Sequence, residues 1–165
     1  MNRKTLRNAI RSPLLALALI VVLAGTVLAT PATPAPGFVG APLARGTVSE
    51  SVHFNTGEVK FQTKGPVLLA TNMVTIQPNG SSGWHFHPGV TLVSVASGTV
   101  VRYDAHCMAT VFPTGSAFVE SGDHPLLVRN EGTTPAVNIV TFMVPAGTTN
   151  AGLRIDSPNP GCPLE

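Results

Sequence analysis

The sequence predicts an all-β domain, a sandwich or a barrel. Gly (16) and Pro (15) are plentiful while only 5% of residues are aromatic and 11% charged, a composition suited to a turn-rich chain. From Phe38 onward no stretch sustains a 3.6-residue apolar period, and short β-rich runs recur between turn signals. A length of 165 residues suits one domain.

Residues 1–29 are set apart from that domain. Arg3, Lys4, Arg7 and Arg11 precede the apolar run Leu14 to Ala29, which closes on the small-residue step Val27-Leu28-Ala29. This reads as a cleaved secretory signal segment. An uncleaved membrane anchor is the alternative, because sixteen apolar residues fall just short of a span. No twin-arginine pair and no lipid-accepting Cys accompanies the run, so general secretion to the cell envelope or beyond is expected. The Pro-rich residues 30–40 form an extended spacer, and 41–165 form the domain with its tail.

Charge follows the same division. Without the four basic leader residues, six positive side chains face eight negative ones, a net charge of −2. No basic stripe with interleaved aromatics remains to neutralise phosphates, which excludes a nucleic-acid partner. Export also bears on Cys107 and Cys162, the two cysteines of the chain. An oxidising compartment favours their disulfide over two buried thiols, closing a loop of 54 intervening residues.

Within the domain, β-rich runs place strands at Gly46–Phe54, Glu58–Lys64, Pro66–Gln77, Trp84–His87, Val90–Ala96, Thr99–Asp104, Ala117–Glu120, Leu126–Asn130 and Val137–Val144. Ser97-Gly98 reads as a tight turn, residues 79–83 as a flexible loop and Asn130-Glu131-Gly132 as a further turn. No internal repeat and no second domain is visible.

Of the five histidines, His85 and His87 flank Phe86. On an extended strand they project to one face and Phe86 to the other. Two neutral imidazoles on one face begin a transition-metal site; a solvated strand face is the plainer reading of an H-x-H pair alone. His53 and His106 read as surface residues. Glu120 reads as a solvated strand end, with a carboxylate ligand or base as the other reading. Trp84 and Phe86 read as core or pocket mouth, and Tyr103 and Arg102 have no evident partner.

The run from Gly80 through His85, His87 and Thr91 to Gly98 resembles the first motif of the cupin superfamily, G-x5-H-x-H-x3/4-E-x6-G. Both histidines and the closing glycine match. The leading glycine is one residue nearer the first His, and Thr91 stands at the acidic ligand position. The second motif, G-x5-P-x-G-x2-H-x3-N, is matched more loosely from Gly115 through Gly122 and His124 to Asn130. Counted from Gly122 its His falls on Pro125, and counted back from Asn130 on Leu126, which leaves His124 as the nearby imidazole. The resemblance covers about residues 67–144.

It implies a cupin-type jelly-roll barrel, the double-stranded β-helix. It also implies one divalent transition ion, Fe, Zn, Ni, Cu or Mn, bound by His85, His87 and His124, with no catalytic residue assigned. Two classes of function follow: a metal-dependent oxygenase or isomerase acting on a small molecule, or a non-catalytic barrel that binds a small molecule or partner with a structural ion or none. A homodimer stays open, and a membrane enters only through an uncleaved leader.

Overall fold

The computed structural model describes residues 37–164; the leader and most of the spacer lie outside them. The chain forms β1 (Phe38–Val48), β2 (His53–Asn55), β3 (Lys60–Gln62), β4 (Val67–Ile76), β5 (His85–Phe86), β6 (Val90–Ser97), β7 (Thr99–Tyr103), β8 (Ala109–Pro113), β9 (Ala117–Ser121), β10 (Leu127–Arg129), β11 (Ala136–Pro145) and β12 (Ile155–Asp156). One short 3-10 turn, η1, spans Ala151–Leu153. The all-β expectation holds for the described residues.

Two layers close the barrel. The first is a five-stranded sheet in the order β1-β4-β11-β6-β9. Its central strands read as alternating apolar sequences, and the pleat sends one set inward: Thr91, Val93 and Val95 from β6, and Asn138, Val140, Phe142 and Val144 from β11, are buried. The second layer joins β10-β7-β8 to the β12-β5 pair through antiparallel bridges from Ser81 to Arg129 and from His85 to Leu126. Val100, Leu126 and Val128 of that layer share one core cluster with Val74, Val93, Phe118 and Val140 of the first. β2 and β3 form a separate exposed hairpin on which Phe54 stacks over Phe61.

Several boundaries differ from the sequence reading. β1 starts at Phe38, inside the expected spacer, and reaches Val48 as an edge strand with a register shift between Pro42 and Ala44. An edge strand tolerates the proline and glycines that conceal it. β8 pairs only with β7, and β12 exists because the tail returns to β5; neither has a sequence signal of its own. Ser97-Gly98 is no hairpin turn but the corner where the chain leaves one layer for the other. Gly98 has φ +76, and a Cβ there would lie 2.8 Å from Ala136 Cα, so glycine is required twice over.

The tail crosses the barrel rather than trailing from it. The Cys107–Cys162 disulfide forms, with Cα atoms 5.4 Å apart. Cys162 packs on Trp84 and Leu127, and the Ser157 amide donates to the Trp84 carbonyl at 3.0 Å. Trp84 is therefore core beneath the tail. Among the described residues no helix is long and apolar enough to cross a membrane.

Candidate metal centre

β5 positions the two histidines. His85 is 4% and His87 5% exposed, and both line the barrel cavity, while Phe86 lines an outer depression with Pro88 and Gly89. The H-x-H alternation thus acts as expected. Gly89 lets the chain turn from His87 into β6 against β11, since a Cβ there would sit 2.2 Å from the Met143 carbonyl oxygen. The imidazoles meet edge to face at 4.9 Å, and His87 packs against Phe142 at 5.3 Å.

Each ring is held by its Nδ1. His85 Nδ1–H donates to the Gly83 carbonyl at 2.9 Å, and His87 Nδ1–H donates to the Leu153 carbonyl at 2.6 Å. A carbonyl can only accept, so both protons sit on Nδ1 and both Nε2 atoms are turned to the cavity. Such outer hydrogen bonds fix the tautomer and aim of a metal-binding imidazole. Burial first, then His87 and the Arg154 charge, push His85 down to about 3, against a weaker opposing effect of the Gly83 carbonyl. Its ring is neutral with a free Nε2 lone pair at any ordinary pH.

Glu120 completes the group, and its exposed-strand-end reading is corrected. On β9 the side chains of Phe118 and Glu120 are buried while Ala117, Val119 and Ser121 are exposed. Glu120, 4% exposed, places Oε2 3.0 Å from His87 Nε2. Ligand atoms of His85, His87 and Glu120 all lie within 4.8 Å of one another. An ion with ligands at about 2.1 Å needs neighbouring donors about 3.0 Å apart in an octahedron and about 3.4 Å in a tetrahedron. The His87–Glu120 edge already has that length. His87 meets an acceptor at each nitrogen, so one proton must lie on the Nε2···Oε2 contact, where an ion would replace it.

The structure does not bring His124 to this group. Its side chain is 86% exposed and stands 4.0 Å from Asp123 in the loop after β9. The physical reason lies in the pairing: Leu126, not His124, is the antiparallel neighbour of His85, with reciprocal backbone hydrogen bonds of 2.9 Å, and it is buried in the core. The position counted back from Asn130 is thus the one facing His85, and it carries leucine. Asn130 is fully buried; its Nδ2 donates to the Ile76 and Thr134 carbonyls, both at 2.8 Å, which holds the following turn. His53 and His106 are exposed, as expected.

Glu120 stands beside Thr91. The two residues are direct cross-strand partners in the β6–β9 register. Thr91 is fully buried and its Oγ1 has no hydrogen-bond partner. The buried Glu120 carboxylate thus stands directly across from Thr91, on the same rung. The other residue that sequence reasoning missed is Arg154. It lines the cavity, donates to the Ser82 carbonyl at 2.6 Å and pairs with Asp156.

Neither a protein-family model nor a curated protein matches the chain. Among solved structures it is similar to a cupin domain from Bordetella pertussis at 14% identity, covering 66% of this chain and 95% of that one with a TM-score of 0.46. A double-stranded beta-helix protein from Klebsiella pneumoniae is similar at 14% identity, covering 62% and 83%, TM-score 0.44. An oxalate oxidase is similar at 22% identity, covering 44% of this chain and 40% of that one, TM-score 0.41. At these identities the likeness is one of fold. His85, His87 and Glu120 are the buried candidate donors, and Thr91 and Leu126 bring neither a carboxylate nor an imidazole to them.

Proposed function

We propose that this chain is an exported cupin-type protein that binds one divalent transition ion through His85, His87 and Glu120 and acts on a small molecule in its barrel as an oxygenase. The observation that carries the reading is the buried His87–Glu120 contact at 3.0 Å with the His85 Nε2 lone pair beside it. Two imidazoles and one carboxylate form the facial set of non-haem iron oxygenases, with positions left over for small molecules. Such an ion supplies Lewis acidity and, where redox-active, electron transfer.

The residues of the chain do the rest. Glu120 contributes one negative charge, so a bound dication leaves the site with one net positive charge. The carbonyls of Gly83 and Leu153 keep both rings aimed at the ion. The apolar walls, Val93, Phe118, Val140 and Phe142, exclude bulk water. Arg154 lines the cavity with its charge paired to Asp156. Isomerase chemistry needs the same ion without oxygen. A non-catalytic barrel is the second reading, favoured by Thr91 and Leu126 standing where strong ligands are expected.

Metal analysis of tag-free protein purified without chelators tests the proposal. About one equivalent of iron or another redox-active ion, lost in His87→Ala, supports it. Metal-free protein that cannot be loaded refutes the metal centre, and a redox-inert ion transfers the case to the second reading. Export is tested by N-terminal sequencing of the mature protein, which should begin at Thr30.

A further inference from the structure

Two rungs from the metal-binding group, the barrel wall carries a polar side chain with nothing to bond. Asn138 projects inward from β11, is 2% exposed and lines the cavity, and its Oδ1 has no hydrogen-bond partner. Its neighbours on the same rung are Val74 of β4 and Val95 of β6, both buried and apolar. A buried amide left unpaired in apolar surroundings destabilises the fold unless something else bonds it. The next rung toward the histidines carries Val93, Val140 and Phe118, with the half-buried Asn72 of β4 beside Val140. The cavity therefore has a polar end at His85, His87 and Glu120, a mainly apolar middle with the half-buried Asn72 on its β4 side, and at its far end the buried, unbonded amide of Asn138. Its volume is about 160 Å³, close to that of an engineered apolar cavity that takes up benzene.

We propose that this cavity selects a small, largely apolar molecule carrying a hydroxyl group, and that the Asn138 amide is the contact that determines the selection. A half-turn of χ2 exchanges the amide oxygen and nitrogen, so the amide can accept from the hydroxyl or donate to it. The apolar body lies between Val93, Phe118 and Val140; Asn72, the other amide on that rung, is only half-buried, so Asn138 is the amide that water does not already serve. Asn138 touches no metal-binding residue in the strand register, so the inference stands on the cavity and not on the ion.

Phenol and benzene are the probes, titrated into the full chain by calorimetry, once after chelator treatment and once metal-loaded. Metal-free protein should bind phenol more tightly than benzene by roughly three- to tenfold, the worth of one net hydrogen bond. Asn138→Leu, of similar volume, should reverse the order. Benzene bound as tightly as phenol, binding of neither, or an unchanged preference in Asn138→Leu would overturn the proposal. The unmutated chain provides an independent readout should that variant fail to fold: at saturation phenol should shift the Asn138 side-chain amide resonances further than benzene, whose ring-current effect the two probes share, and equal shifts or none would overturn it. Because the decisive arm is metal-free, loss of metal binding in His87→Ala bears on the oxygenase reading alone.

Discussion

Replacement of Glu120 by Gln separates a ligand from a mere hydrogen-bond partner. The substitution keeps the side-chain volume and removes the one negative charge among the three donors. Without metal its effect should be small. In the native pair a proton must lie between His87 Nε2 and Glu120 Oε2, 3.0 Å apart, because His87 Nδ1 already donates to Leu153. In Glu120→Gln the amide N–H donates to the neutral Nε2 with no proton taken up, so stability should change by no more than about 1 kcal/mol. Metal affinity should change far more. Loss of a supporting group beyond the ligands typically weakens binding 10- to 100-fold, so loss of a charged ligand should exceed about 100-fold. Proton release gives a second readout: the native protein should release about one proton per ion bound near neutral pH, and Glu120→Gln none. Calorimetric titration with Fe(II) or Zn(II) in buffers of different ionisation enthalpy measures both quantities. Native-like affinity in a folded Glu120→Gln protein, or equal proton release in the two proteins, would refute the assignment of Glu120 as ligand.

His87→Ala should abolish stoichiometric metal binding, whereas His124→Ala should leave it unchanged within error because that ring is 86% exposed in a loop outside the site; metal analysis of dialysed protein compares them. Acid should weaken the fold through His85. The folded ring is held down to about 3 while the unfolded one takes a proton near 6.5, so this contribution is intact above 6.5 and is lost as pH falls toward 3. Between pH 7 and 5 the loss is roughly 2 kcal/mol, measured by urea unfolding, and His85→Gln should flatten that part of the profile. Removing the Cys107–Cys162 link, whose loop has a sequence separation of 55, should cost about 4 kcal/mol by chain entropy. Because the freed tail carries Leu153, whose carbonyl holds His87, Cys107→Ser/Cys162→Ser should also bind metal more weakly than the native chain when both are titrated under folded conditions.

Much of the fold was legible because its signals are local. Alternating apolar residues identify β4, β6 and β11, where each inward position must leave water, and glycine marks the corner at Gly98, where φ is positive. The H-x-H spacing alone places both imidazoles on one face, since the pleat has a period of two. The edge strand β1 and the short β8 and β12 escaped. Edge and tail strands are stabilised by a partner already in place, and their own residues need no strong alternation.

The sequence by itself determined the β class, the paired histidines and the pair of cysteines. Tertiary structure alone decided the third member of the candidate site. His124 lies closer along the chain to the second motif's histidine position, yet the loop after β9 turns it to solvent. Glu120, 33 residues from His87, reaches it because β9 pairs with β6 in a register that sets Glu120 opposite Thr91. Leu153 and Arg154 join only because the tail folds back over the barrel and is tied there by the disulfide. Periodicity within one strand is set by its own backbone geometry, but which strand lies beside it, and in which register, depends on packing of the whole core.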